Sequence, residues 1–269
     1  MRPTAVAILC IAICSQAQAQ AQGPTDPHAV QPERPTVATH AGVVAPGWLE
    51  IETGVERDRL AGQSSLLFPT VLKIGLGRRM QLNVAVPVVG LAGQNAGLGD
   101  GSVGVKFRLA EDAPLLREFA ILPSVKLPSG NFDQGRGTST TDWSLLVISS
   151  RTVGRFAIDL NAGITARNGD GTNAPTFAAL WTVSVGAEVR GPVGWVGEVF
   201  GYPGTGGPAG SPPIVAVLTG PTYAVRPWLA FDVGIMVPVT GPQPHAWYAG
   251  SVVNAGRFWP AHPSPRRAR

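Results

Sequence analysis

The stretch WLEIETGVER, Trp48 to Arg57, sets Glu50, Glu52 and Glu56 in alternation with Leu49, Ile51, Thr53 and Val55. A strand sends successive side chains to opposite faces, so this period of two predicts a strand with one apolar and one acidic face. The pattern recurs down the chain. Leu66, Phe68, Leu72, Ile74 and Leu76 oppose Lys73, and Leu82, Val84, Val86 and Val88 oppose Gln81 and Asn83. Val103, Val105, Phe107 and Leu109 stand against Asp100, Lys106 and Arg108; Phe156, Ile158, Leu160 and Ile164 against Asp159 and Asn161; Leu229, Phe231, Val233 and Ile235 against Asp232. Twelve strands are predicted near 48–57, 65–76, 80–89, 101–110, 118–127, 142–150, 156–166, 177–190, 195–201, 213–223, 229–238 and 246–258. Around IVAVLTG the two faces do not separate, and in the last strand Asn254 shares a face with Tyr248, Val252 and Phe258.

Ten residues at about 3.3 Å each reach roughly 33 Å, which suits a membrane strand and equally a strand of a soluble sandwich. The connections separate the two. Short basic ones (GRR at 77–79, RTVGR at 151–155, RGPVG at 190–194, VRP at 225–227) alternate with long Gly-rich ones (RDRLAGQS, GLAGQNAGLG, SGNFDQGRGTST, RNGDGTNAP, GYPGTGGPAGSPP). Short turns at one end and long loops at the other predict an all-β fold, a transmembrane antiparallel β-barrel over 47–258, with its long loops outside the cell. The connection from Glu111 to Arg117 is longer than the other short turns. Met80, Phe119, Phe156, Trp195 and Trp228 follow the short turns, and Trp48 follows the lead, as an interfacial girdle would place them, although Trp228 falls on the face of Asp232. In a closed barrel the apolar face meets lipid and the polar face lines the lumen, with no unpaired edge left in hydrocarbon.

Composition sharpens this reading. A basic start, an apolar run from Ala5 to Cys14 and small residues before position 21 form a secretory signal over 1–21. Ile13 occupies the site where a lipoprotein signal needs a small residue, so Cys14 is not read as a lipid anchor. Both cysteines fall in this segment, which removes disulfides and cysteine-ligated metals from the mature chain. No mature stretch is apolar for the 18 residues of a membrane helix. A net charge of +4 carried by scattered arginines does not make a nucleic-acid surface. The segment 22–46, rich in Pro, Ala, Gln and Thr, reads most simply as a flexible periplasmic lead; the other reading is a segment tucked inside something larger. Residues 259–269 form a basic tail. Such a protein belongs in the outer membrane of a Gram-negative cell, with outer-membrane lipid and the barrel assembly machinery as its partners.

Candidate chemistry is sparse. Of the four histidines, His28, His40 and His262 lie in the lead or tail and His245 beside a loop, with no pair at metal-ligand spacing and no nucleophile with a base beside it. No cofactor, metal or catalytic group is expected, and the chain is not read as an enzyme. The lumen-facing candidates are Glu50, Glu52, Lys73, Asp100, Lys106, Arg108, Lys126, Asp142, Asp159, Arg167, Glu188 and Asp232, with Glu56, Glu198 and Arg190 beside them. They could favour cations in a passage, or pair off and fill a narrow interior. Barrels of about eight strands are filled by side chains and those of 16–18 hold a channel, so twelve leaves both open.

The stretches GLGDGSVGVKFRL from Gly97, AILPSVKLPSG from Ala120 and GRGTSTTDWSLLV from Gly135 resemble the outer-membrane transporters of the phenol-degradation MetA-pathway type. Gly97, Leu98, Gly99 and Asp100 match that family's first turn. Leu127, Pro128 and Gly130 match its Leu-Pro-Thr-Gly step, with Ser129 replacing threonine, and Gly137, Thr138 and Asp142 follow its third pattern. The resemblance implies passive transport of small, hydrophobic or aromatic, solutes and brings no catalytic residues. The alternative function is a structural or surface-interaction barrel with a plugged lumen.

Overall fold

The computed structural model describes residues 26–114, 117–168, 175–207 and 210–259. The stretch 1–21 expected as a secretory signal and the tail beyond Trp259 lie outside the described residues. The strands are β1 (Trp48–Leu60), β2 (Gln63–Phe68), β3 (Thr70–Gly77), β4 (Met80–Ala85), β5 (Val88–Leu91), β6 (Gly97–Leu98), β7 (Ser102–Ala113) and β8 (Arg117–Lys126). They continue as β9 (Thr141–Val153), β10 (Phe156–Asn168), β11 (Phe177–Arg190), β12 (Val193–Tyr202), β13 (Ile214–Arg226), β14 (Leu229–Thr240) and β15 (His245–Arg257). Neighbours pair antiparallel around a ring of β1, β3, β4 and β7 to β15, and β15 closes on β1 from Trp48↔Arg257 to Arg59↔His245. The wall therefore has the twelve strands the sequence predicts, and no edge.

The remaining strands, β2, β5 and β6, carry the wall upward at the long-loop end. Proline has no N–H to give a ladder, and the second and third walls break at Pro69 and Pro87 before pairing again as β2 with β5. The stretch 57–64, expected as a loop, is instead a hairpin. Ala61 and Gly62 turn it with φ of 48° and 83°, the left-handed pair that a two-residue turn between twisted strands requires.

The burial pattern is inverted relative to a soluble protein. Leu160, Ile164, Phe231 and Val233 stand about half exposed on the outer wall, while Glu50, Lys73, Gln81 and Lys106 are fully buried. The lumen wall is itself mixed. On β12 to β15 it carries an apolar cluster, Phe200, Ala216, Leu218, Met236, Ala246 and Tyr248, against which Val37 and Tyr202 pack, set among the buried polar groups of Glu198, Asp232 and Asn254. This is why IVAVLTG shows no polar face: Ala216 and Leu218 point inward and are as apolar as their outward neighbours. Asn254 shares the inward face with Tyr248 and Val252, all three buried.

Residues 26–46 correct the reading of a flexible periplasmic lead. They lie inside the barrel, with Ala38, Ala41, Val43 and Val44 buried. Five prolines in 22–46 and the lack of any apolar period favour the flexible lead in the sequence, while the structure has the other arrangement, a segment tucked inside something larger. An irregular segment can be buried only where its backbone polar groups find partners, and the polar inner wall supplies them.

Candidate functional site: an occupied barrel lumen

The segment enters at the short-turn end, where Val30 N–H donates to Pro227 O at 2.8 Å. His28 stacks on Trp228 at 6.0 Å and lies tilted against Trp48 at 5.1 Å, while its Nε2 is 3.1 Å from the carbonyl of Asn254. Trp48 and Trp228 are thus not girdle residues; both face inward and clamp the segment.

From there the backbone is handed from one wall side chain to the next. Gln31 and Glu33 N–H donate to Glu50 and Glu52 at 2.7 Å each. Val37 and Ala38 N–H donate to the two oxygens of Glu198, also at 2.7 Å. Thr39 N–H reaches Asn161 Oδ1, Ala41 N–H reaches Ser150 Oγ, and Val44 N–H reaches Gln81 Oε1, each at 2.7 Å. The order β1, β12, β10, β9, β4 means that the segment runs around the inside of the wall before it joins β1. The wall returns donors to its carbonyls: Lys73 to Gln31 O, Lys106 to His40 O and Gly42 O, Asn161 Nδ2 to Thr39 O. Small residues on the wall make room. A Cβ at Gly75 would collide with the carbonyls of Val44 and Ala45, and one at Gly54 would sit 2.8 Å from the Arg34 guanidinium.

The charges close into groups. Lys73 Nζ lies 2.5 Å from Glu50 and 2.6 Å from Glu52, all three buried, as the register Glu50↔Lys73 brings about. Lys106 pairs with Glu33 of the segment, and Arg34 of the segment lies 3.3 Å from Asp232. Sequence reasoning assigned no role to Glu33, Arg34, His28 and His40, because a charge in a proline-rich stretch reads as solvated. The available signal was an excess of inward acceptors, Glu50, Glu52, Glu198, Asn161 and Gln81, over inward donors on the wall.

A second cluster sits at the long-loop end. Asp100 accepts from Lys126 at 2.8 Å, from Thr138 N–H at 2.9 Å and from Gly130 N–H at 3.0 Å, while Ser129 Oγ donates to Gly99 O at 3.1 Å. Asp142 takes Thr140 Oγ1 at 2.7 Å and lies 3.2 Å from Arg167 and 3.4 Å from Lys126. The three sequence stretches around Asp100, Gly130 and Asp142 therefore meet in space and tie the 127–140 connection to the rim. Burial pushes the Asp100 carboxyl up, but Lys126 and the two backbone N–H groups outweigh it and hold it below its ordinary value.

The other candidates lie apart. Asp159 accepts from Ser150 Oγ at 2.6 Å on the polar wall. Arg108 donates to Arg78 O at 2.8 Å and pairs with exposed Glu111 at the short-turn end. Glu188 is exposed beside the turn between β11 and β12.

The fold is similar to an outer membrane channel from Pseudomonas putida F1, with a TM-score of 0.61 and 9% identity over 78% of this chain and 96% of that one. It is also similar to the KdgM porin, with a TM-score of 0.52 and 9% identity over 77% of this chain and 99% of that one. No curated protein matches the chain. Residues 33–244 match the family model for the MetA-pathway of phenol degradation.

Proposed function

Since the chain belongs to the MetA-pathway of phenol degradation family and folds as an outer-membrane barrel, we propose that it passes small apolar or aromatic solutes, with segment 26–46 as its resting obstruction. The observation that carries this reading is an apolar patch within a largely polar lumen. The polar side chains of the wall, Glu50, Glu52, Glu198, Asn161, Ser150 and Gln81, are engaged by the segment's backbone. Beside them Phe200, Leu218, Met236 and Tyr248 form an apolar patch against which Val37 of the segment packs. If the segment shifts, that patch is uncovered, and apolar area is what an apolar solute recognises. The charged groups then hold the obstruction and do not select ions.

The anchoring of seven segment N–H groups to the wall also supports a second reading, a permanently plugged structural barrel. Planar-bilayer recordings and vesicle uptake of phenol against a sugar separate the two. Deleting 27–43 should raise conductance several-fold, and the full chain should admit phenol faster than the sugar. A folded barrel that stays silent with and without the segment, and admits neither solute, would leave the structural reading.

A further inference from the structure

We infer that the outer face of β1 and β15 at the long-loop end is a docking site for a membrane lipid whose headgroup carries phosphate; this rests on the outer-membrane barrel and not on what the lumen transports. Along β1 the outward positions are Leu49, Ile51, Thr53 and Val55, then Arg57 and Arg59, while Glu50, Glu52, Glu56 and Asp58 take the inward parity. The strand thus turns basic on its lipid side and stays acidic on its lumen side. Pairing adds Trp247 opposite Arg57 and His245 opposite Arg59, and on the other flank Leu66 and Ser64. Trp247 is 70% exposed, and Arg57, Arg59 and His245 are exposed beside it.

Depth decides what this patch meets. Arg57 lies two residues, roughly 7 Å, beyond Val55, the last apolar position of the row. Arginine on the lipid face is costly at the midplane and nearly free at the interface, and tryptophan marks that same level. The patch therefore sits at headgroup depth. No carboxylate neutralises it: among the described residues neither arginine forms an ion pair, and Ser64 Oγ, 3.4 Å from Arg57 Nε, only orients one guanidinium. Arg57 and Arg59 hold alternate positions of one strand, their Cα atoms about 7 Å apart, and each guanidinium can clasp a phosphate through paired N–H donors. An indole at their base packs on the lipid's acyl or sugar portion.

The test uses the full refolded chain in phosphatidylcholine vesicles doped with bis-phosphorylated lipid A, with its dephosphorylated form, or with neither, followed by native mass spectrometry of retained lipid. The phosphorylated form should be retained selectively and should raise the heat-unfolding temperature. Arg57→Gln with Arg59→Gln should retain about tenfold less or lower still, as the loss of charge-assisted contacts requires. Arg151→Gln with Arg155→Gln, at the opposite rim, should retain as much as the wild type. Equal retention of dephosphorylated lipid A by the wild type would overturn the site without any variant. So would unchanged retention in the Arg57/Arg59 variant, or an equal thermal shift with inorganic phosphate alone.

Discussion

Lys73 shows what closure of the wall does to a charge. The alternation along β1 and β3 makes it an inward partner of Glu50 and Glu52, and an aqueous lumen would leave such a pair worth about 0–1 kcal/mol. With the segment in place all three are buried, and removing one partner strands the others. Lys73→Met should therefore cost about 3–5 kcal/mol, read as a lower urea midpoint for the heat-modifiable band. A change under about 1 kcal/mol would mean that water reaches the site. Asp100 is tested by pH. Its folded carboxyl titrates below its ordinary value of 3.8, so its contribution is complete above that value and is lost only as pH falls through the lower folded one. Proteolysis of the 127–140 connection should stay slow from pH 7 to about 5 and rise only below about 4, whereas Asp100→Asn should expose it at neutral pH. Cleavage that begins near pH 6 in the wild type would place the latch elsewhere.

Among the elements, β1 is read on both faces. Ile51 pairs with Leu72 and Val253 on the lipid side. Ile51→Arg should cost about 2–4 kcal/mol if that position lies near the midplane, with the loss appearing in refolding yield and urea midpoint. A neutral outcome would move the membrane plane. The segment answers to a different element. Gly75 on β3 must remain small because the carbonyls of Val44 and Ala45 press on it. Gly75→Val should leave the wall paired and heat-modifiable yet dislodge 44–45, so single-channel conductance should rise toward that of the deletion. A variant with wild-type conductance would show that this contact does not hold the obstruction.

For the whole molecule, orientation follows from the asymmetry of the two ends. The described turns at one end, Arg78–Arg79, Gly154–Arg155, Gly191–Pro192 and Pro227–Trp228, are two residues long, while the other end carries 127–140 and 203–213. Cysteine at 205 should react with an impermeant reagent on intact cells and cysteine at 153 should not, on a background whose only native cysteines precede the strands. Reaction at 153 alone would invert the molecule. It would also put Arg57 and Arg59 in the periplasmic leaflet without altering what their guanidinium groups can bind.

What the sequence determined by itself is what repeats along it. A period of two names the strands, their two faces and, through Glu50, Glu52 and Lys73, even one cross-strand meeting. Alternating connection lengths name the barrel, because local chain geometry alone sets both signals. The occupant of the lumen has no such period. Whether the Glu198 carboxylate faces water, an ion or the N–H groups of Val37 and Ala38 depends on a contact across 160 residues. The same holds for Trp48 and Trp228, which read as membrane anchors until closure of the ring brings them to His28. Only the tertiary structure decided these, since burial of an irregular backbone depends on acceptors gathered from many strands at once.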